Sequence, residues 1–360
     1  PPHPPRPPPP PPPPPPHTPS NQHEPPPPPP YPPTAPPAAA PGDQDHAAQY
    51  LVKPAQHDPQ EPNPRLELFN FYSRKPDCAT AEVVIEEAIT ANPENCELYI
   101  QKGNYFLRRG QNDKAEKAFL TAIEKEPQNI RPYMVAAGYY DSIGSKDKVM
   151  PMYNRALEIS PDDIRVMGTM ARYHLKEREV EQADGIINQI LDDRPAYFPG
   201  LLLKAESLVL KKEFNAAIEM LNKLVKDEPK SVRAHYFLGL AYLGKRNSAM
   251  GKSSLAKVVE LNPRHYKAKL LLADIYFKER DFNLAKKESE DVLKLFPNNY
   301  QATRISGNAC MLERDYAEAQ KRFQRLIEID PDNPTGYFRL GLLHRVQKKY
   351  AEALSYFDKA

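Results

Sequence analysis

The sequence predicts an all-α protein built as a stack of short repeats, and three observations carry that prediction. Eight prolines (Pro93, Pro127, Pro161, Pro195, Pro229, Pro263, Pro297 and Pro331) stand 34 residues apart, and a fixed period of this size marks a stacked-repeat architecture. With each proline as the 32nd residue of its repeat, repeats begin at Pro62, Cys96, Ile130, Ile164, Phe198, Val232, Tyr266, Tyr300 and Pro334. The eighth position is small in eight of nine repeats, from Gly103 and Ala137 to Gly341, and the twentieth, from Ala81 and Ala115 to Ala353, is small in eight of nine. Small residues at fixed positions let two helix backbones approach, and bulky ones opposite fill the same layer. The third observation is periodicity: the run from Asn112 to Glu126 places apolar residues at i, i+3, i+4 and i+7, the helical pattern.

Taken in order, residues 1–61 read as a proline-rich arm. Thirty of the 43 prolines lie at or before Pro64, including the runs Pro7–Pro16 and Pro25–Pro30. Such tracts form an extended rod of about 3.1 Å per residue with no core, so packed structure is expected only from about Arg65. Pro28, Pro29, Pro30 and Tyr31 match the form that WW domains read, and PxxP spacings suit SH3 domains. Any proline tract produces these motifs, which leaves a stiff spacer as the plainer reading. The first repeat has Phe69 where the others have a small residue, and it carries Pro64 and Pro76, so it reads as a degraded capping repeat. In the following repeats the eleventh position is filled by residues such as Phe106, Tyr140 and Tyr276, and the 24th by Phe119, Tyr153, Phe323 or Phe357. Val149 and Ser289 break single core positions. Each period-marking proline ends the second helix of its repeat, since it lacks an amide donor and restricts its predecessor. The sequence opens on proline, and Ala360 falls at the 27th position of its repeat, so it reads as a piece of a longer chain. Membrane anchoring through a preceding segment is therefore left open, as is the choice between cytoplasm and bacterial periplasm or envelope.

Charge and motifs exclude more than they assign. The formal net charge is +2, and residues 1–61, with two basic and five acidic side chains, account for −3 of it, leaving +5 on residues 62–360. That mild excess and the lack of arginine-rich helices point away from nucleic acid. No stretch approaches the 18 apolar residues of a membrane-spanning helix. Cys78, Cys96 and Cys310 show neither disulfide-framework nor zinc spacing, and Cys310 stands at a core-filling position. Gly251-Lys252-Ser253 resembles the end of a phosphate-binding loop, but Arg246 stands where that loop needs glycine. His174 and His344 occupy the eleventh position, which fits core filling better than catalysis or metal binding. Paired acids such as Asp162–Asp163 and Asp192–Asp193 adjoin the turns between repeats, where solvation accounts for them. No catalytic motif is visible, and no cofactor is expected.

The spacing of small, aromatic and proline positions over residues 62–360 resembles the tetratricopeptide repeat family. The resemblance implies two antiparallel helices per repeat, stacked as a right-handed superhelical solenoid, with a concave surface lined by the first helix of each repeat. In the family, the second, fifth, ninth and twelfth positions of that helix usually face the ligand. The second position carries Arg131, Arg165, Arg233 and Lys267; Arg172 stands at a ninth position and Arg304 at a fifth, with Asn308 at the ninth of the same helix. Tyr236, Met134 and Phe338 add apolar contacts at fifth positions. Bases beside aromatic groups suit acidic peptide segments through paired donors and stacking; the alternative is a set of ordinary solvated helix-start charges. The resemblance does not extend to two better-defined subtypes. A carboxylate clamp built on lysine and two asparagines is only partly imitated by Arg304, Asn308 and Arg339, and Asn104 has no basic companion. An asparagine ladder at the sixth position is absent. Residues 333–347 are also similar to repeats of large bacterial envelope proteins that accompany exopolysaccharide and exosortase systems.

These readings lead to a non-catalytic scaffold that binds a protein or peptide segment, with acidic character favoured, in the groove. The alternative is the recognition arm of a larger enzyme, such as a glycosyltransferase, whose catalytic domain lies outside this sequence. A pure spacer is a third reading, and it predicts that groove substitutions are silent.

Overall fold

A computed structural model describes residues 62–74 and 79–360. The predicted arm over residues 1–61 lies outside the described residues, as do Pro76 and Cys78. The described residues form eighteen α-helices and no strand. They are α1 (Pro62–Ser73), α2 (Ala79–Ala91), α3 (Cys96–Arg108), α4 (Asn112–Lys125), α5 (Ile130–Ser142), α6 (Lys146–Ile159), α7 (Ile164–Lys176), α8 (Val180–Asp193), α9 (Phe198–Leu210), α10 (Phe214–Asp227), α11 (Val232–Gly244), α12 (Ser248–Leu261), α13 (Tyr266–Lys278), α14 (Phe282–Leu295), α15 (Tyr300–Leu312), α16 (Tyr316–Ile329), α17 (Pro334–Val346) and α18 (Tyr350–Phe357). Odd-numbered helices are the first of each repeat, and their starts coincide with the repeat starts read from the proline period.

The described residues divide into two compact units, the first ending at Leu98 and the second running from Tyr99 to Ala360. In the first, α1 begins at Pro62, slightly before the expected Arg65, because proline is tolerated in a first helical turn whose amides lack partners anyway. α1 packs on α2, and the core here is Leu68, Phe69, Ala81, Val84, Ile85 and Ala88. Phe69, the residue that breaks the small-residue rule, is fully buried.

The second compact unit is an all-α solenoid. Each second helix packs against its own first helix and against the first helix of the next repeat. The cluster of Leu202, Ala205, Ala217, Leu221, Leu224, Ala234 and Leu238 shows this, since it joins α9, α10 and α11. The eighth and 24th positions of a repeat meet across each hairpin. A Cβ placed on Gly103 would lie 2.5 Å from Phe119, on Gly307 2.6 Å from Phe323, and on Gly341 2.4 Å from Phe357, inside the van der Waals limit. Where alanine takes the eighth position, at Ala137, Ala171, Ala205 and Ala273, the 24th is Tyr153, Ile187, Leu221 or Ser289. Phenylalanine at this layer is thus matched by glycine opposite. The two departures from pattern are accommodated: Val149 is fully buried, and buried Ser289 donates its hydroxyl to the carbonyl of Ala285 on its own helix.

Among the described residues, the turns inside the repeats close in one way. From the second repeat's turn onward the fifteenth position is left-handed: Gly110 has φ 69°, Gly144 has φ 77°, and Arg178, Lys212, Arg246, Arg280, Arg314 and Lys348 have φ of 60–65°. The amide after it donates five residues back, as Glu179 does to His174 and Asp315 to Cys310, both at 2.9 Å. This is the helix-ending arrangement that satisfies otherwise orphaned carbonyls and favours glycine. A side chain in this conformation costs about 1–2 kcal/mol, while glycine costs about 0.4–1 kcal/mol through the freer unfolded chain. Arg280→Gly and Arg314→Gly are therefore each expected to stabilise the protein, by about 0.5–1 kcal/mol, and Gly144→Arg to destabilise it. Thermal unfolding of the three variants beside the parent measures this, and a fall in midpoint for the glycine variants refutes it.

Candidate binding groove

First helices contact one another directly along the stack: α7 with α9, α9 with α11, and α13 with α15. No pair of second helices among the described residues packs as closely. A stack that is tighter on one side curves toward that side, so the first helices line its inner face. Their starts are fixed by caps at the last position of the preceding repeat. Asn129, Asp163, Ser231, His265, Asn299 and Asn333 each accept a backbone amide of the following first helix. Asp163 is thus a cap and not merely a solvated turn acid; its carboxyl is held below the usual range, chiefly by Arg165 and then by backbone amides.

The eight residues singled out in the sequence fall into three places. Arg131 and Arg165 are exposed beside the turns between repeats, and Arg165 is turned onto its own cap, with Nη2 2.7 Å from Asp163 Oδ2. That engagement matches the helix-start alternative.

The second group forms a strip on the inner face from α7 to α13. Arg172 on α7 is open to solvent by area, yet burial by surrounding protein, then the charge of Arg233, push its guanidinium below its ordinary value. Both hold for a side chain lying in an open trough. Arg233 on α11 is engaged by Glu206 of α9 and lies 5.7 Å over the Phe237 ring. Tyr236 packs on His265 with ring centroids 4.9 Å apart, and its phenol is pushed up by burial, with Tyr266 and Glu206 adding to it. Lys267 is exposed at the start of α13. Glu206 was not singled out from sequence, although it stands at a ninth position; a search for bases alone passes over the acid that orders them. With Arg172, Arg233 and Lys267 against Glu206, the strip carries an excess of positive charge beside aromatic surface.

The third place joins α15 and α17. Tyr300, Arg304 and Asn308 stand at i, i+4 and i+8 on α15, one face of that helix. The charge of Arg304 is felt at Arg339 on α17, whose guanidinium is pushed below its ordinary value first by burial and then by Arg304. Asn308 is only 4% exposed.

Other candidates resolve as packing. His174 is buried with Nδ1 2.6 Å from Glu179 Oε2, and His344 is buried and stacked on Tyr356 at 5.2 Å. Cys310 is fully buried, and burial pushes its thiol up. Gly251 meets Leu243 and the backbone of Gly239 inside a hairpin, with no strand before it. Among the described residues, no three His, Cys, Asp or Glu side chains converge to hold a metal, and no helix is long and apolar enough to cross a membrane.

The sequence model of the tetratricopeptide repeat matches residues 77–164, 202–250, 270–319 and 311–360. No curated protein matches the chain. Among solved structures, a crystal structure of MamA is 22% identical, with 43% of this chain and 91% of that one covered and a TM-score of 0.41. PilW, described as a widely conserved type IV pilus biogenesis factor, is 17% identical over 57% of this chain and 96% of its own, with a TM-score of 0.47. A tetratricopeptide repeat protein from Parabacteroides merdae is 19% identical over 69% and 99%, with a TM-score of 0.48.

Proposed function

The chain belongs to the tetratricopeptide repeat family, and on that premise we propose that it is a non-catalytic scaffold holding an extended segment of a partner protein on its inner face. The observation that carries this reading is the strip from Arg172 to Lys267. Arg172 makes no ion pair among the described residues although protein surrounds it, and Glu206 is bonded directly to Arg233 while its charge only reaches Arg172 from a distance. The Arg172 guanidinium and the Lys267 ammonium, neither held in an ion pair among the described residues, can receive carboxylates, and Phe237 and Tyr236 offer ring faces to neighbouring side chains. The preferred partner segment is therefore acidic.

Capture from native lysate tests this with the whole chain as bait, beside Arg172→Glu/Lys267→Glu and an outer-face control, Lys257→Glu/Lys321→Glu. Circular dichroism first establishes that all three are equally helical. The expected result is a partner retained by parent and control and weakened about tenfold or more, equivalent to 1.4 kcal/mol, by the inner-face variant. A partner kept equally by all three places binding elsewhere and overturns the reading. Reversing the preference, with loss only in the control, does the same.

A further inference from the structure

The left-handed position of the turns inside repeats carries a second regularity. In repeats two and three it is Gly110 and Gly144; in the six repeats that follow it is always a base, Arg178, Lys212, Arg246, Arg280, Arg314 and Lys348. Glycine suits this conformation best, so six successive side chains stand where folding alone favours none. All six are exposed, and none makes an ion pair, a side-chain hydrogen bond or a ring contact among the described residues. The acids of the same turns are engaged within the fold. Glu177 holds Lys146, Glu179 holds His174, and Glu279 holds Lys252. Asp281 and Asp315 accept the cap amides of Leu284 and Glu318. Glu213 and Glu313 are left against the six bases. Two large apolar side chains share this edge. Leu312 and Val346 stand two residues before Arg314 and Lys348, and they are 49% and 51% exposed. Leu312 lies inside the stack and is as open as Val346, so the exposure belongs to the edge and not to the last repeat.

We propose that this edge of the solenoid rests on an anionic lipid surface, with the turn bases among the headgroups and Leu312 and Val346 at the acyl boundary. The proposal stands apart from the inner-face reading, since it uses the turns and not the groove. Each base follows the end of a first helix, and first helices that pack on one another stand about 10 Å apart. That spacing is close to the screening length of about 8 Å in physiological salt, so neighbouring bases act together on a charged plane. A left-handed residue at the tip of a turn also carries its side chain clear of both helices. Nucleic acid and soluble acidic polymers offer charge but no apolar phase for Leu312 and Val346, whereas an anionic lipid surface offers both.

The test is co-sedimentation of the whole chain with vesicles, either of phosphatidylcholine alone or of equal parts phosphatidylcholine and phosphatidylserine. Circular dichroism at the assay temperature first establishes that every variant is folded. Binding is expected to the mixed vesicles and not to phosphatidylcholine, and it should fall as salt rises. Arg280→Gly/Arg314→Gly/Lys348→Gly is expected to weaken binding about tenfold or more while unfolding at the parent temperature or above, because glycine suits the conformation. A loss of binding in a variant that has gained stability cannot come from misfolding. Lys226→Gln/Lys287→Gln/Lys321→Gln removes as much charge from the second helices and is expected to bind as the parent does. Leu312→Ser/Val346→Ser is expected to weaken binding about threefold or more and to leave the remainder more sensitive to salt. Failure to bind the mixed vesicles overturns the proposal. Equal losses in the two triple variants do so too, since net charge alone then accounts for binding. Binding unchanged by Leu312→Ser/Val346→Ser, or displaced by soluble polyglutamate or a single-stranded oligonucleotide at equal charge, means a general polyanion edge and overturns the lipid assignment.

Discussion

Phe323→Ala is expected to lower the stability of the solenoid by about 3–5 kcal/mol, the range for deleting a buried aromatic side chain. Phe323 is fully buried, and its ring occupies the space that the missing Cβ of Gly307 leaves open. The same contact predicts a cost from the opposite side. Gly307→Ala places a methyl group 2.6 Å from Phe323 Cε1 and 3.0 Å from Arg322 Cβ. Alanine gains about 1 kcal/mol over glycine as a helix former, but overpacking costs about 1–3 kcal/mol where the ring is fixed on all sides. The clash wins, and a net loss of about 1–2 kcal/mol is expected. Combining Gly307→Ala with Phe323→Leu recreates the Ala205 and Leu221 pair of an earlier repeat, both fully buried there. The double variant is expected to be more stable than the sum of its parts by about 1 kcal/mol or more, the signature of residues in direct contact. Because repeats unfold locally as well as globally, hydrogen exchange over α15 and α16 should accompany urea unfolding. Additive losses would show that the two positions do not share one space.

How much of this could be read from the sequence depends on what each feature requires. Architecture needs only that like positions recur, and a 34-residue period displays them directly; Pro93 to Pro331 mark the helix ends and Gly103 to Gly341 the close approaches. The matching of glycine to phenylalanine was present in the sequence too, but only as a correlation between positions sixteen residues apart within each repeat. The inner-face strip was half legible. Arg172, Arg233, Tyr236 and Lys267 follow from position alone, whereas Glu206 emerges only when the curvature brings α9 and α11 together. Arg165 shows the opposite case: its position equals that of Arg233, yet a cap aspartate two residues earlier claims it. Arg339 stands at a sixth position, outside the positions expected to face a ligand, and its tie to Arg304 spans two repeats. Whether a charge is answered is a property of the packed neighbours, and no single position in the repeat encodes it. The left-handed turns with Arg178 and its equivalents were likewise invisible to residue type, since four arginines and two lysines occupy a conformation that glycine prefers.

Lys269→Met is expected to cost about 2–3 kcal/mol at neutral pH. Lys269 is 5% exposed and holds Glu288 at 3.0 Å and Asp291 at 2.9 Å, across the hairpin of α13 and α14. Removing one partner of a buried ion pair costs about 3–5 kcal/mol; the lower figure here reflects carboxylates that keep 13% and 29% of their side-chain surface in water. Methionine preserves the packing of the stem, so the loss isolates the charge. Burial opposes the Lys269 ammonium, but its bonds to Asp291 and Glu288 prevail and raise it above the ordinary lysine value. Its stabilisation is thus complete below that ordinary value and fades as pH rises through the raised one. Asp291 is held below the ordinary carboxylate range, first by Lys294 and then by Lys269. Its contribution is present above that range and fades as pH falls through the depressed value. The difference between parent and Lys269→Met is therefore largest near neutrality and shrinks below about pH 4, where unpaired carboxylates take up protons. Adding Glu288→Gln and Asp291→Asn should restore most of the loss at pH 7, since replacing a whole buried ionic group is far less costly than breaking it. Urea unfolding of parent, single and triple variants at pH 7 and pH 3.5 decides the matter. A loss equal at both pH values, or undiminished in the triple variant, would mean that Lys269 acts through its methylene stem and that the charges across this hairpin are incidental.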